Sequence, residues 1–247
     1  MKDLGAIISK DLKWSNHVNS ICNIASITSY QITKTIKSKN IWTWIKLFIS
    51  YIRPKLEFNS PVWSPSLAKD INKLESIQRR FTKLAFNRCN IPFESYEDRL
   101  HKIGYLSLQT RRSFLDLVFL YKIIHNLCEL KFDQYFTFTT SQYTLRSHPL
   151  QIKPKLQHKS SQFHNSFFSR VTFTWNKLPN NIVPANSLPI FKHSLKTYFH
   201  NTPWTSENVF GEIRLLFCVF SYSFKAKIYY CCAICTFCWF SILLFVL

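Results

Sequence analysis

Ser64-Pro65-Ser66-Leu67-Ala68-Lys69-Asp70-Ile71-Asn72-Lys73-Leu74-Glu75-Ser76-Ile77-Gln78-Arg79-Arg80-Phe81-Thr82-Lys83-Leu84 is the stretch on which the fold turns. Leu67, Ile71, Leu74, Ile77, Phe81 and Leu84 recur at steps of three and four, which places them on one apolar stripe of an α-helix. Ser64 is placed to cap that helix and Pro65 to occupy its first turn. A different face collects Lys69, Lys73, Ser76, Arg80 and Lys83. Glu75 and Arg79, four apart, are expected to pair, which leaves Arg80 and Lys83 with no acid on the helix.

Helical spacing continues on both sides. Upstream, Ser15 is the expected cap of a helix running through Ile21, Ile24 and Ile27 to about Lys37. A second helix fits Asn40 to Ile52 and is expected to stop at Arg53-Pro54, because the residue before a proline is pushed out of αR. Downstream of a loop at Ile91-Pro92, a short helix should end at Gly104 in a left-handed turn. Ser107 then caps a helix to about Cys128 whose segment Phe114–Leu120 is apolar on nearly every side, as a buried central helix would be. Arg111 and Arg112 are expected near the surface at its start, with Arg112 reaching Asp116.

Residues 129–205 are more irregular and hold six of the ten prolines. Alternation at Phe136-Thr137-Phe138-Thr139 suggests a strand, and helices are expected over Ser166–Lys177 and Ser187–His200. The reading is a small α+β extension, with Trp175 preferred as a core residue over a base-stacking one. Residues 206–247 form an apolar tail. Within it, 228–247 carry no charge and are long enough to span a bilayer, with Lys225 and Lys227 just before them. The fold class is thus mainly α, a helical bundle followed by the extension and an apolar C-terminal tail helix.

Composition narrows the chemistry. In 247 residues there are 32 Lys+Arg and 13 Asp+Glu, a net charge of +19, which suits a polyanionic partner. Three glycines cannot build a phosphate-cradling loop, and Glu97-Asp98 is the one adjacent acidic pair, so a carboxylate-held metal centre lacks ligands. No nucleophile elbow or Cys–His arrangement is present. Cys22, Cys89 and Cys128 are scattered, which argues for a reducing compartment, and the N-terminus has no signal-peptide h-region. Neither the histidines between 148 and 200 nor Cys232-x-x-Cys235-x-x-Cys238 has the surroundings of a metal site. No cofactor, metal or small-molecule substrate is expected, and the chain as it stands is not expected to be an enzyme.

Several short elements in a fixed order carry a resemblance. They are Leu4-Gly5, Leu12–His17, Arg53–Glu57, Pro61–Pro65, Ile71–Arg80, Leu106–Leu108 with Arg111-Arg112, Tyr121–Ile123, Asn165–Arg170, Trp175–Pro179 and Ser187–Lys192. Over about 190 residues the chain resembles the part of jockey-like non-LTR retrotransposon reverse transcriptases that follows the polymerase palm. The resemblance implies a post-palm connection and helical thumb over 1–128, followed by a basic C-terminal extension over 129–205. It also implies an RNA-directed DNA polymerase family whose catalytic aspartates lie upstream of the Leu-Gly element, so none is carried over to this chain. Nothing in the tail matches that pattern. The expectation is a truncated remnant that binds a primer–template duplex without sequence preference. Lys69, Lys73, Arg80 and Lys83 are the expected phosphate contacts, with Arg111 and Arg112 as further ones. The alternatives are a tail-anchored membrane protein with a basic cytosolic domain, or a non-functional reading frame. The expected location is intracellular, nuclear or cytoplasmic, and membrane-associated if 228–247 insert.

Overall fold

The computed structural model describes residues 1–3, 5–139, 148–156 and 160–201. A two-stranded hairpin, β1 (Lys2–Asp3) and β2 (Ala6–Ile7), leads into α1 (Ser15–Thr35). α2 (Ile41–Leu47) runs through a π-helical turn (Phe48–Ile52) into α3 (Arg53–Glu57), and α4 (Ser60–Trp63) precedes α5 (Ala68–Arg88). α6 (Tyr96–Ile103) and α7 (Leu108–Ile124) follow. The remainder holds α8 (Phe132–Tyr135), β3 (Phe136–Phe138), β4 (Ile152–Pro154), α9 (Ser161–His164), α10 (Phe167–Asn176) and α11 (Leu188–Asn201). β3 and β4 pair antiparallel with Thr137 opposite Lys153, so the strand suggested by the alternation at Phe136–Thr139 is present.

Three expected helix ends differ. Arg53-Pro54 does not stop the helix. The Arg53 N–H donates to Phe48 O five residues back, and this widened turn carries the chain past a proline that has no N–H to donate. Ser64 does not cap α5; it closes α4 with its N–H on Ser60 O, and Pro65 to Leu67 stay outside the helix. Ser15 does not cap α1, whose N-cap position is Trp14; its hydroxyl donates instead to Asp70 Oδ2 at 2.7 Å. Other ends follow the sequence. Asn40 accepts from Trp42 N–H at 2.9 Å and Ser107 from Thr110 N–H at 3.1 Å. Gly104 takes φ +65° with the Tyr105 N–H on Leu100 O, and Asn90 and Asn126 end α5 and α7 in the same left-handed way.

Two apolar clusters fill the molecule. One joins α1 (Val18, Cys22, Ala25), the α2–α3 run (Trp44, Phe48, Ile52, Leu56) and α5 (Leu74, Ile77, Phe81, Ala85). The other packs Leu117, Leu120, Tyr121 and Ile123 of α7 against Phe136, Ile152, Val171, Trp175, Phe191 and Leu195. α7 is therefore the central helix its composition suggests, and Trp175 is a core residue, fully buried with its indole N–H on Leu150 O at 2.8 Å. Residues 129–201 contribute most of the second cluster but none of α7, so they bury their apolar side chains against the preceding region.

Among the described residues no helix is long and apolar enough to cross a membrane. The tail 206–247, with the expected span 228–247 and Cys232, Cys235 and Cys238, lies outside the described residues.

Candidate nucleic-acid interface

α1 and α5 are each 21 residues long and run parallel, pinned at matching levels. Ser15 bonds Asp70 near their starts, Asn19 Oδ1 accepts from Lys73 Nζ at 2.6 Å, and Arg88 Nη1 donates to Ile36 O at 2.7 Å near their ends. The apolar stripe of α5 faces inward. At 100° per residue, Lys69, Lys73, Ser76, Arg80, Lys83 and Asn87 fall within about 80° of arc on its other side. Lys69, Lys73, Arg80 and Lys83 are all exposed, and from Lys69 to Lys83 the row is about 21 Å long at 1.5 Å per residue. Lys69 and Lys83 have no hydrogen bond or ion pair among the described residues, and Arg80 Nε only bonds back to Ser76 O at 3.3 Å. No acid occurs between Asp11 and Glu57, so α1 brings none to this face.

Glu75 does not pair with Arg79. Its carboxylate is buried, accepting from the Tyr96 hydroxyl and from the Leu108 N–H at 3.0 Å, while Arg79 lies 4.9 Å over the Tyr96 ring. Burial pushes the Glu75 carboxyl up, against the Tyr96 hydroxyl, Arg112 and the Leu108 N–H. Beneath the basic row, burial raises the Cys22 thiol to about 11, with Lys73 and Arg80 pulling the other way, so this thiol is unreactive.

Arg112 is buried rather than near the surface, Arg111 is half-buried, and the structure does not bring either to the α5 row. Arg111 forms a two-pronged pair with Glu57 of α3, its Nη2 2.8 Å from Oε2. Arg112 is 3% exposed and lies near Glu75 and Asp116; burial lowers it to about 10 against their attraction. One of its nitrogens, Nη1, is buried with no hydrogen-bond partner. Asp116 does not take Arg112 as its ion-pair partner but Arg170 of α10, at 2.7 and 3.3 Å, and Arg170 also bonds Pro61 O at 2.9 Å. These groups form a buried polar seam along the first half of α7, between the two apolar clusters.

The sequence reading stopped the basic row at Lys83. The structure adds Asn87 and Arg88, which with Arg80, Lys83 and Leu84 line an open groove of about 410 Å³. The seven-residue step from Arg80 to Asn87 is the signal that could have extended the row, whereas Arg88 lies about 80° round the helix from Arg80, toward the apolar stripe. Among the described residues no group of His, Cys, Asp and Glu is arranged to hold a metal ion.

The chain is similar to an uncharacterized protein of Caenorhabditis elegans, 26% identical over 112 residues. The match covers 45% of this chain and 57% of that protein, so the chain spans little more than half the length of the curated relative it matches. No family model and no solved structure matches the chain.

Proposed function

We propose that this chain is the thumb and C-terminal extension of a jockey-like non-LTR retrotransposon reverse transcriptase, and that α5 grips a primer–template duplex by its phosphates. The ordered sequence elements support the family origin. The observation that carries the activity is the exposed row Lys69, Lys73, Arg80 and Lys83, with no acid on its own face or from α1. Cations in such a row displace condensed counterions from a duplex, so binding is tolerant of sequence and steep in salt. No catalytic residue belongs to this reading. The reading rests on the α5 row rather than on Arg111 and Arg112, since Glu57 pairs with the first and the second is buried.

The test is duplex binding by the full chain across a salt series. Binding is expected at low salt, and Lys73→Glu with Arg80→Glu should weaken it and flatten the log–log salt slope by about 2, at 0.9 per phosphate contact. Absence of duplex binding at low salt, or a slope unmoved by the double reversal, would overturn the reading.

A further inference from the structure

The groove at the C-terminal end of α5 differs from the row leading into it, because it adds an apolar floor to the cations and the register of the two helices sets an exposed tyrosine of α1 level with it. Arg80, Lys83 and Arg88 supply positive charge, Leu84 is half-buried beneath them, and the Asn87 amide is exposed as both donor and acceptor. Arg88 is fixed from two sides, by Ile36 O at 2.7 Å and by the Trp44 ring 5.1 Å from its guanidinium. The pins between α1 and α5 set the level of everything alongside. The partners are offset by 55 residues at Ser15–Asp70, 54 at Asn19–Lys73 and 52 at Ile36–Arg88. Tyr30 is thereby level with the stretch about Leu84, the middle of the groove. It stands eleven residues after Asn19, which is three helical turns plus about 20°, and so shares the edge of α1 that reaches Lys73. Tyr30 is 62% exposed, and among the described residues its ring has one cation over it, Lys34 Nζ, 5.9 Å from the centroid.

We infer that this groove and Tyr30 hold an unpaired nucleotide, the first of a single strand continuing from the duplex that the α5 row grips. The inference rests on the nucleic-acid reading above and adds the strand to it. A duplex offers a row of cations only phosphates, whereas an unpaired nucleotide offers a phosphate together with a free base face. Arg80, Lys83 and Arg88 match the first, and the exposed Tyr30 ring and Leu84 match the second. The groove is open at its side, which suits one unit of a continuing polymer better than an enclosed small molecule. Its cations lead directly into Lys73 and Lys69, so a strand leaving the groove meets phosphate contacts along α5. Nothing in this set of side chains distinguishes one base from another except Asn87, so recognition is tolerant of sequence.

The test uses the full chain with a blunt duplex, the same duplex with a four-nucleotide overhang, and the overhang strand alone, each followed by fluorescence anisotropy. The overhang should raise affinity by about 5- to 150-fold, as expected for one stacked base. Tyr30→Ala should remove that gain and leave the blunt duplex unaffected, while Tyr30→Phe should keep it. Equal affinity with and without the overhang, or a gain that survives Tyr30→Ala, would overturn the inference. So would Tyr30-dependent binding to phosphatidylserine vesicles with none to the overhang, which would assign the patch to a membrane surface. If the blunt duplex fails to bind but the single strand binds through Tyr30, the duplex reading falls together with the strand's continuation from it, and the holding of an unpaired nucleotide by the groove and Tyr30 stands.

Discussion

Arg79-Arg80 on α5 and Arg111-Arg112 on α7 are the same dipeptide on two neighbouring helices, with opposite outcomes. Arg80 is exposed and bonds only its own helix, and Arg79 lies over Tyr96. Arg111 is locked to Glu57 and Arg112 is buried near Glu75 and Asp116. What separates the pairs is the arrival of acids from other elements. Glu57 reaches Arg111 across 54 residues of sequence, whereas the chain that flanks the outer face of α5 carries none. A basic pair is free to meet a polyanion only where the fold leaves it unneutralised.

The largest expected effect lies in the buried seam. Asp116→Ala strands Arg170 and removes a carboxylate beside Arg112, and should lower stability by about 3–5 kcal/mol in chemical denaturation. A loss under about 1 kcal/mol would show that the seam is not what sets α7 apart from α5. A paired experiment tests the comparison directly. Arg112→Met should lower stability by about 1–3 kcal/mol, by removing the positive charge near two buried carboxylates, without changing duplex affinity in the folded protein. Arg80→Met should do the reverse, moving stability by no more than about 0.5 kcal/mol while weakening duplex binding. If Arg112→Met weakens binding as much as Arg80→Met, the two pairs are not functionally distinct.

The smallest effect asks whether a buried base with no acid nearby behaves differently again. His17 Nδ1 accepts the Ile7 N–H at 3.3 Å, and burial holds the imidazole below its ordinary 6.5. Below about pH 6.5 the unfolded chain takes up the proton first, so stability from neutral His17 is complete above that pH and is lost as pH falls through the folded value. The protection factor of the Ile7 amide should fall as pH drops below about 6.5, and His17→Asn, which keeps an acceptor, should flatten that slope. A slope unchanged in His17→Asn would place the titration elsewhere.

Much of the helical framework was legible because its signals are local. The stripe from Leu67 to Leu84, the cap Ser107, and the left-handed Gly104 each depend on residues within about one or two turns. The outer face of α5 was legible for the same reason, since residues that share a stripe stay out of the core together. The errors share the opposite cause. Ser15 and Ser64 carry good capping side chains, but Asp70 claims one and the short turn of α4 takes the other. Pro54 breaks a regular helix, yet the π-turn before it lets the chain continue. Arg111 and Arg112 look solvent-exposed until Glu57, Glu75 and Asp116 are brought alongside. Tyr30 and Arg88 went unnoticed because their neighbourhood exists only once α1 and α5 lie side by side in register.

The placement of α7 carries a consequence for synthesis. Its far side is covered by α10 and α11, and the Tyr121 hydroxyl bonds Ala185 O 64 residues later. At about 5–20 residues per second a ribosome needs roughly 3–13 s to deliver that partner. Until that interval has passed, the cover that Leu117, Leu120 and Ile123 receive from the chain's later helices is incomplete. The nascent protein therefore passes through a stage in which its central helix is made but not yet enclosed, a natural target for a chaperone that holds apolar segments.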